Sequence, residues 1–443
     1  MTTYLMHLLR PAVCLAICLA VYAPAQAQLY FPPIGSDTWD TLSPRSLNWC
    51  EERIDSLYAF LETNNTRAFI LLKDGKIVLE RYFGSHTAAS NWYWASAGKT
   101  LTAFMVGMAQ QEQYLSIEDT TARYLGAGWT ACTPPQEEAI TIWHQLTMTS
   151  GLSDGVADPF CTLDSCLVYL ADPGTRWAYH NGPYTLLDGV IEAATGQTLN
   201  TYTTQKLKTP TGMTGLYVQQ GYNNVFFSNA RSMARFGLLM LNRGIWDGQP
   251  VMTDTAYFDQ MTQPSQALNP AYGYLWWLNG QDRYMVPQTQ FVFPGMLNPH
   301  APADMYAAMG KNGQFLNVVP SEGLVWVRMG DAPDNALVPF LLNDQIWAYL
   351  GDLACDALAI DPTIDAVALY PNPTTATLTV ALPEGGSLSV MTVDLCDLRG
   401  RCLQTLRPDR SRVSLDLGAL PPGIYFVRIR EGDRLLVRKV IRE

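Results

Sequence analysis

The 443-residue chain has few charged side chains, few histidines and few lysines. The charge and the histidines each argue against a class of function. Charged residues make up 16% and the net charge is −11, which argues against nucleic-acid binding through a basic surface. The five histidines are scattered and form no His-x-x-x-His pair, so a zinc hydrolase of that type is not expected. We predict neither a metal ion nor another cofactor.

Only one of the seven lysines has a serine three residues before it. At average usage, Ser-x-x-Lys occurs by chance about twice in a chain of this length, so the motif alone is weak. Ser96-Ala97-Gly98-Lys99 stands, however, where apolar residues begin to follow helical spacing. Residues three apart share a helix face, which places the Lys99 amine against the Ser96 hydroxyl. Because burial favours the neutral amine, the pair can form an activated nucleophile.

The N-terminus has the features of a secretory signal peptide over residues 1–27. Arg10 precedes a short apolar stretch at residues 11–22, and Ala25-Gln26-Ala27 forms a cleavage site. The stretch is too short to span a bilayer comfortably. We therefore predict cleavage, a mature chain without a transmembrane segment, and a secreted or cell-surface location. An uncleaved anchor is the alternative.

Residues 28–365 are expected to form one α/β (α+β) domain. Two strands joined by Asp74-Gly75, a helical middle and two closing strands are typical of an antiparallel sheet flanked by helices. We expect the first and last strands to be neighbours, with the terminal helices on the outer face. The predicted helices span residues 47–62, 100–113, 139–148, 184–194, 228–243 and 335–350. Residues 366–443 hold short strands split by turns, which predicts a small all-β sandwich.

Two later segments could complete a site around Ser96. In Tyr179-His180-Asn181, a tyrosine near a lysine ammonium can have its pKa lowered. Tyr179 could then take a proton from Ser96 or return one to the leaving group, and Asn181 could bond both Lys99 and a substrate carbonyl. In Gly310-Lys311-Asn312-Gly313-Gln314, the glycines allow close backbone approach and a strand edge offers N–H donors for an oxyanion. A plain turn is the alternative for each segment.

These three segments, in this order, resemble those of class C β-lactamase-like serine hydrolases. Residues 146–152 are similar to the Leu-Thr-His-Thr-Ser-Gly-Leu motif of that family. The resemblance covers about residues 47–350 and is greatest to the branch of 6-aminohexanoate-dimer hydrolase and related esterases. It implies a β-lactamase-like fold and an acyl-enzyme on Ser96, formed from a small-molecule ester or amide, with Lys99 and Tyr179 handling protons. It also implies an oxyanion hole of backbone N–H groups from the serine and a late strand.

The substrate and oxyanion candidates are therefore Asn181, Lys311, Gly313 and Gln314. Lactamase members of the family carry the motif Lys-Thr-Gly, and the most similar sequence in this chain is Lys311-Asn312-Gly313. Because of this departure, two questions stay open: whether Lys311 binds a carboxylate, and whether the protein hydrolyses β-lactams.

The C-terminal residues 369–443 resemble the sorting domain of the type IX secretion system. The matching segments are residues 370–374, 397–401, 423–427 and 437–441. The resemblance implies that the type IX machinery is a partner. It also implies export across the outer membrane, followed by removal of the module or surface attachment. An accessory sandwich that binds a polymer is the alternative.

Other functions stay open at this point. β-Lactamase or D-amino-acid peptidase activity would use the same scaffold, and a non-catalytic surface-binding protein would need no reactive Ser96. Gly151-Leu152-Ser153-Asp154-Gly155 also satisfies Gly-x-Ser-x-Gly. An α/β-hydrolase elbow needs a strand before that serine and a helix after it, whereas here a helix-like segment precedes it and a polar loop follows.

Seven of the nine cysteines lie outside the signal segment. An exported chain can keep disulfides, and short spacing predicts Cys161–Cys166 and, across a hairpin, Cys396–Cys402. A bond between Cys50 and Cys355 would need the two ends of one domain to meet. The odd count leaves one thiol unpaired or paired with another molecule, and the pairing among Cys50, Cys132 and Cys355 stays open.

Overall fold

The computed structural model describes residues 29–332, 336–355, 367–382, 391–431 and 434–443. The predicted signal peptide and the predicted domain boundary at residues 365–366 lie outside these residues. The chain divides into two compact units, one up to Ala354 and the other from Cys355. The domain limits drawn from the sequence, 28–365 and 366–443, stay predictions.

The first unit is a mixture of helices and strands. Its helices are α1 (Glu51–Thr63), α2 (Lys99–Gln111), α3 (Ala122–Leu125), α4 (Pro134–Glu138), α5 (Ile142–Leu146), α6 (Asn181–Thr195), α7 (Leu199–Thr203), α8 (Thr209–Thr211), α9 (Ala230–Leu241), α10 (Thr255–Met261) and α11 (Phe340–Gly351). Its strands are β1 (Thr66–Lys73), β2 (Lys76–Tyr82), β3 (Trp92–Tyr93), β4 (Leu216–Gln220), β5 (Asn223–Ser228), β6 (Ile245–Trp246), β7 (Gln249–Pro250), β8 (Trp277–Leu278), β9 (Arg283–Tyr284), β10 (Phe293–Pro294), β11 (Tyr306–Gly310), β12 (Gln314–Val319) and β13 (Leu324–Gly330).

The main sheet is antiparallel with strand order β2-β1-β13-β12-β11-β8. β1 pairs with β13, for example Leu71 opposite Trp326, so the predicted contact between the first and last strands is confirmed. The hairpin at Asp74-Gly75 joins β1 and β2 as expected. The end of β11 lies close to the turn that precedes α2.

Helices cover both faces of this sheet, which explains why its strands show little alternation of polar and apolar residues. On one face, α9 approaches closely because Gly237 has no side chain: an added Cβ would lie 2.5 Å from Leu316 and Val325. On the opposite face, the Trp347 indole of α11 donates to Asn317 Oδ1 at 3.1 Å. α1 packs beside α11, with Phe60 stacked on Tyr349 at 4.6 Å.

The predicted helices exist but differ in length. The segment at 139–148 forms only the short α5, and the last helix starts at Phe340 instead of residue 335. α6 starts earlier than predicted, at Asn181, and ends where expected, with Gly196 in the left-handed region at φ 68°. α2 is buried around almost its whole circumference, so it is a central helix and not a surface one.

The second unit is the predicted all-β sandwich. One sheet has the order β14-β15-β18 and the other β17-β16-β19-β20, and side chains of both sheets share one apolar core, including Val380 and Val427. Its strands are β14 (Ala368–Tyr370), β15 (Thr377–Ala381), β16 (Met391–Cys396), β17 (Cys402–Leu406), β18 (Arg412–Asp416), β19 (Gly423–Glu431) and β20 (Arg434–Arg442).

The cysteine predictions have mixed outcomes. Cys161 and Cys166 are bonded as predicted, and Cys50 and Cys355 are each disulfide-bonded. The Cys396–Cys402 prediction is wrong, because both are free thiols. They lie opposite each other in the β16–β17 pair, but a register shift falls between Leu395 and Cys396. Cys402 Sγ instead contacts Thr405 Oγ1 at 3.3 Å.

Among the described residues, no helix combines the length and the apolar character that a membrane crossing requires.

Candidate active site

Ser96 lies in a short 3₁₀ turn, Ala95–Gly98, that leads directly into α2. Ala95 has φ 47°, the left-handed region that a residue with a Cβ seldom adopts, so the backbone is strained beside the serine. The turn is anchored by Trp94, whose buried indole donates to Ser228 Oγ at 2.8 Å. A strained but well-anchored turn holds the Ser96 hydroxyl in a fixed position.

Lys99 begins α2 and is only 2% exposed. Its Nζ lies 2.9 Å from Ser96 Oγ and 2.7 Å from Asn181 Oδ1. The structure therefore brings together three residues that the sequence singled out. Burial is the main cause that lowers the pKa of Lys99 to about 7, against a smaller opposing effect of Asp188.

Aromatic rings take the place of water around this amine. Lys99 Nζ lies 4.0 Å from the centre of the Tyr184 ring and 5.0 Å from that of Tyr179. No carboxylate among the described residues forms an ion pair with Lys99. Sequence reasoning missed Tyr184, although its place one helical turn after Asn181 was a signal that it shares the Asn181 face.

Tyr179 lines the same cleft as Ser96 and lies inside a cluster of aromatic side chains. Its ring stacks on Trp277 at 5.7 Å and meets the edge of Tyr272 at 6.3 Å. The Ser96 side chain lies close to the Tyr179 hydroxyl and lowers its pKa. Burial is the larger effect and raises this pKa well above its usual range. The expectation of a lowered pKa for Tyr179 is therefore wrong, because burial outweighs the opposing effect of the Ser96 side chain.

The end of β11 lies directly against the Ser96 turn. A Cβ added to Gly310 would lie 2.7 Å from Trp94 O and 2.9 Å from Ser96 N, so only glycine permits this approach. The contact joins the backbone around the serine to the edge of a late strand, where the backbone N–H groups of an oxyanion hole were expected.

The remaining predicted residues have different positions. Lys311 lines the cleft beside Ser96 and has an exposed side chain. Gly313 and Gln314 do not lie there, which corrects their assignment. Gly313 O accepts from Arg328 Nη1 at 2.8 Å, and the fully buried Gln314 side chain donates to Gly330 O at 2.6 Å. Both stabilise the β12–β13 region instead of facing a ligand.

The cleft over Ser96 has a volume of about 320 Å³, which suits a small ligand. Its walls combine aromatic and apolar side chains with neutral amides, and Lys311 adds a cation at the rim. They are formed by Tyr93, Phe160, Tyr184 and Leu337, together with Asn181, Gln220, Asn223 and Asn224. Trp276 and Trp277 are buried in the core.

The rival serine does not have the surroundings of a nucleophile elbow. Ser153 lies in a loop and its N–H donates to Val168 O at 2.8 Å. A turn and a polar loop follow it instead of a helix. His300, one of the histidines downstream, contacts Asp344 at 2.7 Å on the surface.

Comparison with protein families agrees with both units. The Beta-lactamase family matches residues 66–336, more than half of the chain. The secretion system C-terminal sorting domain matches residues 368–443. None of the curated proteins matches the chain.

Solved structures share the fold of the first unit at low identity. A Bacillus anthracis protein assigned as a 6-aminohexanoate-dimer hydrolase has 19% identity and a TM-score of 0.54, over 73% of this chain and 88% of that one. A family VIII carboxylesterase has 15% identity and a TM-score of 0.51, over 68% and 96%. A penicillin-binding protein homolog from Caulobacter crescentus has 15% identity and a TM-score of 0.51, over 68% and 98%.

At these identities the solved structures establish the fold alone, whereas the family match covers the segment that holds Ser96, Lys99 and Tyr179. The tail is a type IX sorting domain, which indicates export to the cell surface or beyond. The first unit has the predicted antiparallel sheet flanked by helices. The chain belongs to the beta-lactamase family of hydrolases.

Proposed function

We propose that the protein is an exported serine hydrolase that cleaves a small ester or amide through an acyl-enzyme on Ser96. One observation carries the proposal: a buried lysine amine lies 2.9 Å from the serine hydroxyl. An ordinary lysine has a pKa near 10.4, so it is almost fully protonated at neutral pH. With its pKa lowered to about 7, Lys99 is free base in a substantial fraction of molecules.

In the first half of the reaction, Ser96 Oγ forms a bond to the substrate carbonyl carbon while its proton moves to the neutral Lys99 Nζ. The carbonyl oxygen becomes an oxyanion. When the carbonyl re-forms, the bond to the leaving alcohol or amine breaks and that group takes up a proton. In the second half, the oxygen of a water molecule bonds to the acyl carbon, the ester bond to Ser96 Oγ breaks, and the acyl group leaves as a carboxylic acid while Ser96 Oγ takes up a proton from that water.

Tyr179 suits the role of proton donor in this scheme. Because burial raises the pKa of its hydroxyl, the phenol stays neutral near pH 7 and can donate to a leaving group. Lys99 then replaces the proton on Tyr179. The division of roles, with Lys99 as base and Tyr179 as donor, follows from opposite effects of burial on an amine and a phenol.

The oxyanion is assigned to backbone N–H groups at the contact between the Ser96 turn and β11. Donors that are already fixed before the reaction stabilise developing charge more than mobile ones. The close approach at Gly310 supports this assignment, because it places the end of β11 directly against the backbone of the Ser96 turn.

The cleft favours a small substrate with polar groups near the scissile bond. Three of its carboxamides, Gln220, Asn223 and Asn224, come from the β4–β5 hairpin and can donate to and accept from a ligand. Lys311 is the cation at the rim and could hold a carboxylate. β-Lactams and D-amino-acid peptides carry such a carboxylate, so a substrate panel should include them beside simple esters and amides.

Covalent labelling tests the proposal. An active-site phosphonate should label the protein once, and peptide mass spectrometry should place the label on Ser96. Gly310→Ala should slow labelling by about 10²-fold, because the added methyl group displaces the Ser96 turn. Gly351→Ala is the matched control, since a Cβ there meets no atom within 4 Å.

A label on another residue, or equal labelling rates in both glycine variants, would contradict this arrangement. Complete failure to label the folded wild-type protein would favour the non-catalytic surface-binding alternative.

The two ends of the chain serve export in this proposal. The signal peptide at residues 1–27 directs passage across the inner membrane, and the sorting domain at 368–443 directs passage across the outer membrane. A chain truncated before Leu369 should remain hydrolytically active, because the site lies wholly in the first unit. In its native host it should accumulate in the periplasm, as cell fractionation would show. Normal surface delivery of the truncated chain would contradict the role of the tail.

A further inference from the structure

The face of α6 that meets α2 carries a polar stripe that continues beyond the catalytic residues. Asn181, Tyr184 and Asp188 are spaced three and four residues apart, so they share one side of the helix. On α2, Lys99 and Thr102 are one turn apart. Asn181 and Tyr184 contact Lys99, and Thr102 Oγ1 donates to Asp188 Oδ1 at 3.2 Å.

Asp188 is 6% exposed and only partly satisfied. Its Oδ2 is buried without a hydrogen bond to a described residue, although Asn224 is close enough to lower the pKa of the carboxyl. A buried oxygen of this kind costs stability. The packing of two helices does not require it, since an apolar side chain would fill the same space.

The ionisable groups around Asp188 come from three elements. Lys99 faces it from α2, Tyr217 from β4, and Tyr184 and Glu192 from α6 itself. The tyrosines are neutral near pH 7, because burial raises the pKa of each well above its usual range. Lys99 is the one cation that acts on the carboxyl among these groups.

We propose that Asp188 is a positioning residue that sets the charge of Lys99 from behind the Tyr184 and Thr102 side chains. The proposal rests on the proposed function, because it concerns the base of that reaction. An ionised Asp188 favours the ammonium form of Lys99, which is the form produced when the amine takes the Ser96 proton. A protonated Asp188 favours the free amine, which is the form that starts the reaction. A proton passed between the two groups leaves their combined charge at zero.

Burial acts on the two groups in opposite directions. It raises the pKa of Asp188 to about 7 and lowers that of Lys99 to about 7. The two groups therefore titrate in the same range, and their ionisation is coupled. Removal of the carboxylate charge should shift the ionisation of Lys99 towards lower pH.

The test is the pH profile of phosphonate labelling, which reports activation of Ser96 without product release. Asp188→Asn keeps the shape and an acceptor for Thr102 but removes the charge. We expect the midpoint of its rising limb to move by roughly 1 pH unit towards acid, the effect of one nearby charge. Its rate at the plateau should fall several-fold, since a weaker base accepts the proton less readily.

Glu192→Gln is the matched control on the same helix. Glu192 has an exposed side chain and Oε1 accepts from Leu199 N at 2.7 Å, which a glutamine oxygen can also do. This variant also loses one negative charge but should show no acid shift, because the Glu192 charge raises the pKa of Asp188 and its removal favours the ionised carboxylate. A shift as large as that of Asp188→Asn would mean that general charge, not Asp188, is responsible.

Two further variants keep the proposal testable if the asparagine variant fails to fold. Asp188→Leu removes both the charge and the buried polar atoms, so it should fold and show the same acid shift. Thr102→Val retains the carboxyl but removes the donor that favours its ionised form, so a smaller shift in the same direction is expected.

An unchanged midpoint in a folded Asp188 variant that labels Ser96 would overturn the proposal. Absence of labelling in the wild-type protein would instead overturn the proposed function.

Discussion

Replacement of Ser96 by alanine should reduce hydrolysis by on the order of 10⁶-fold, the scale of loss expected when an enzyme loses its covalent nucleophile. The neighbouring groups cannot replace it. Lys99 and Tyr179 are both buried, and neither is positioned to form the acyl-enzyme. Steady-state assays with the best ester or amide of the substrate panel would measure the loss, and phosphonate labelling should disappear with it.

The alanine variant should fold normally. Ser96 contributes one hydrogen bond, from Lys99 Nζ, and it belongs to a turn that is already strained at Ala95. Its melting temperature should therefore stay close to that of the wild type. Ser153→Ala is the control for the rival motif and should keep full activity. If Ser153→Ala were inactive and Ser96→Ala active, the nucleophile would be Ser153.

Local and sequential features of the fold could be predicted from the sequence. The Asp74-Gly75 hairpin and the helix start at Lys99 depend on turn chemistry and apolar spacing. The contact between Ser96 and Lys99 is local too, because one helical turn separates them. These features needed no knowledge of the remaining packing.

Features that depend on packing could not be predicted in this way. Lys311-Asn312-Gly313 resembles the Lys-Thr-Gly motif of the lactamases. The register of β11 and β12, however, places Gly310, not Gly313, against Ser96. The direction of the Tyr179 pKa shift depends on how completely other side chains exclude water from the ring. Spacing puts Asp188 on the same helix face as Asn181, but the sequence does not show that its carboxyl is buried and accepts from Thr102 of α2.

The second large effect is expected for Lys99→Met, which keeps a long apolar stem and removes the amine. Hydrolysis should fall by about 10⁴-fold, the upper end of what a positioned acid or base supplies. Asn181 and Tyr184 would remain in place, but no group near Ser96 Oγ could accept its proton near pH 7. The measurement is kcat/KM for the same substrate, with labelling of Ser96 as a second readout.

The sign of the pH dependence follows from the state that Lys99 must have. The free amine is the active form, and its fraction rises with pH through the pKa of about 7. In the wild type, kcat/KM should therefore fall about tenfold per pH unit below roughly pH 6 and level off above roughly pH 8. An ordinary lysine pKa near 10.4 would place this rise more than three pH units higher.

Tyr179→Phe distinguishes the role of Tyr179 from that of Lys99 and is compared with Lys99→Met. It should lose about 10²–10⁴-fold in rate but keep the rise near pH 7, because that ionisation belongs to Lys99 and the phenol is neutral throughout. Lys99→Met should lose the rise itself. A rise that persists in Lys99→Met and vanishes in Tyr179→Phe would make Tyr179 the base, despite its burial.

Stability should change in the opposite direction to activity in Lys99→Met. The pKa of Lys99 is lower in the folded state than in the unfolded chain, so the unfolded state binds more protons between about pH 7 and pH 10. Burial of the lysine is therefore unfavourable below its unfolded pKa, and folding becomes more favourable as the pH rises through this range.

Methionine removes this cost, so the variant should melt at the same temperature or higher at pH 7, and the difference should shrink towards pH 10. A variant that is both inactive and less stable at pH 7 would indicate that Lys99 holds α2 and α6 together through Asn181 instead of serving as a buried base.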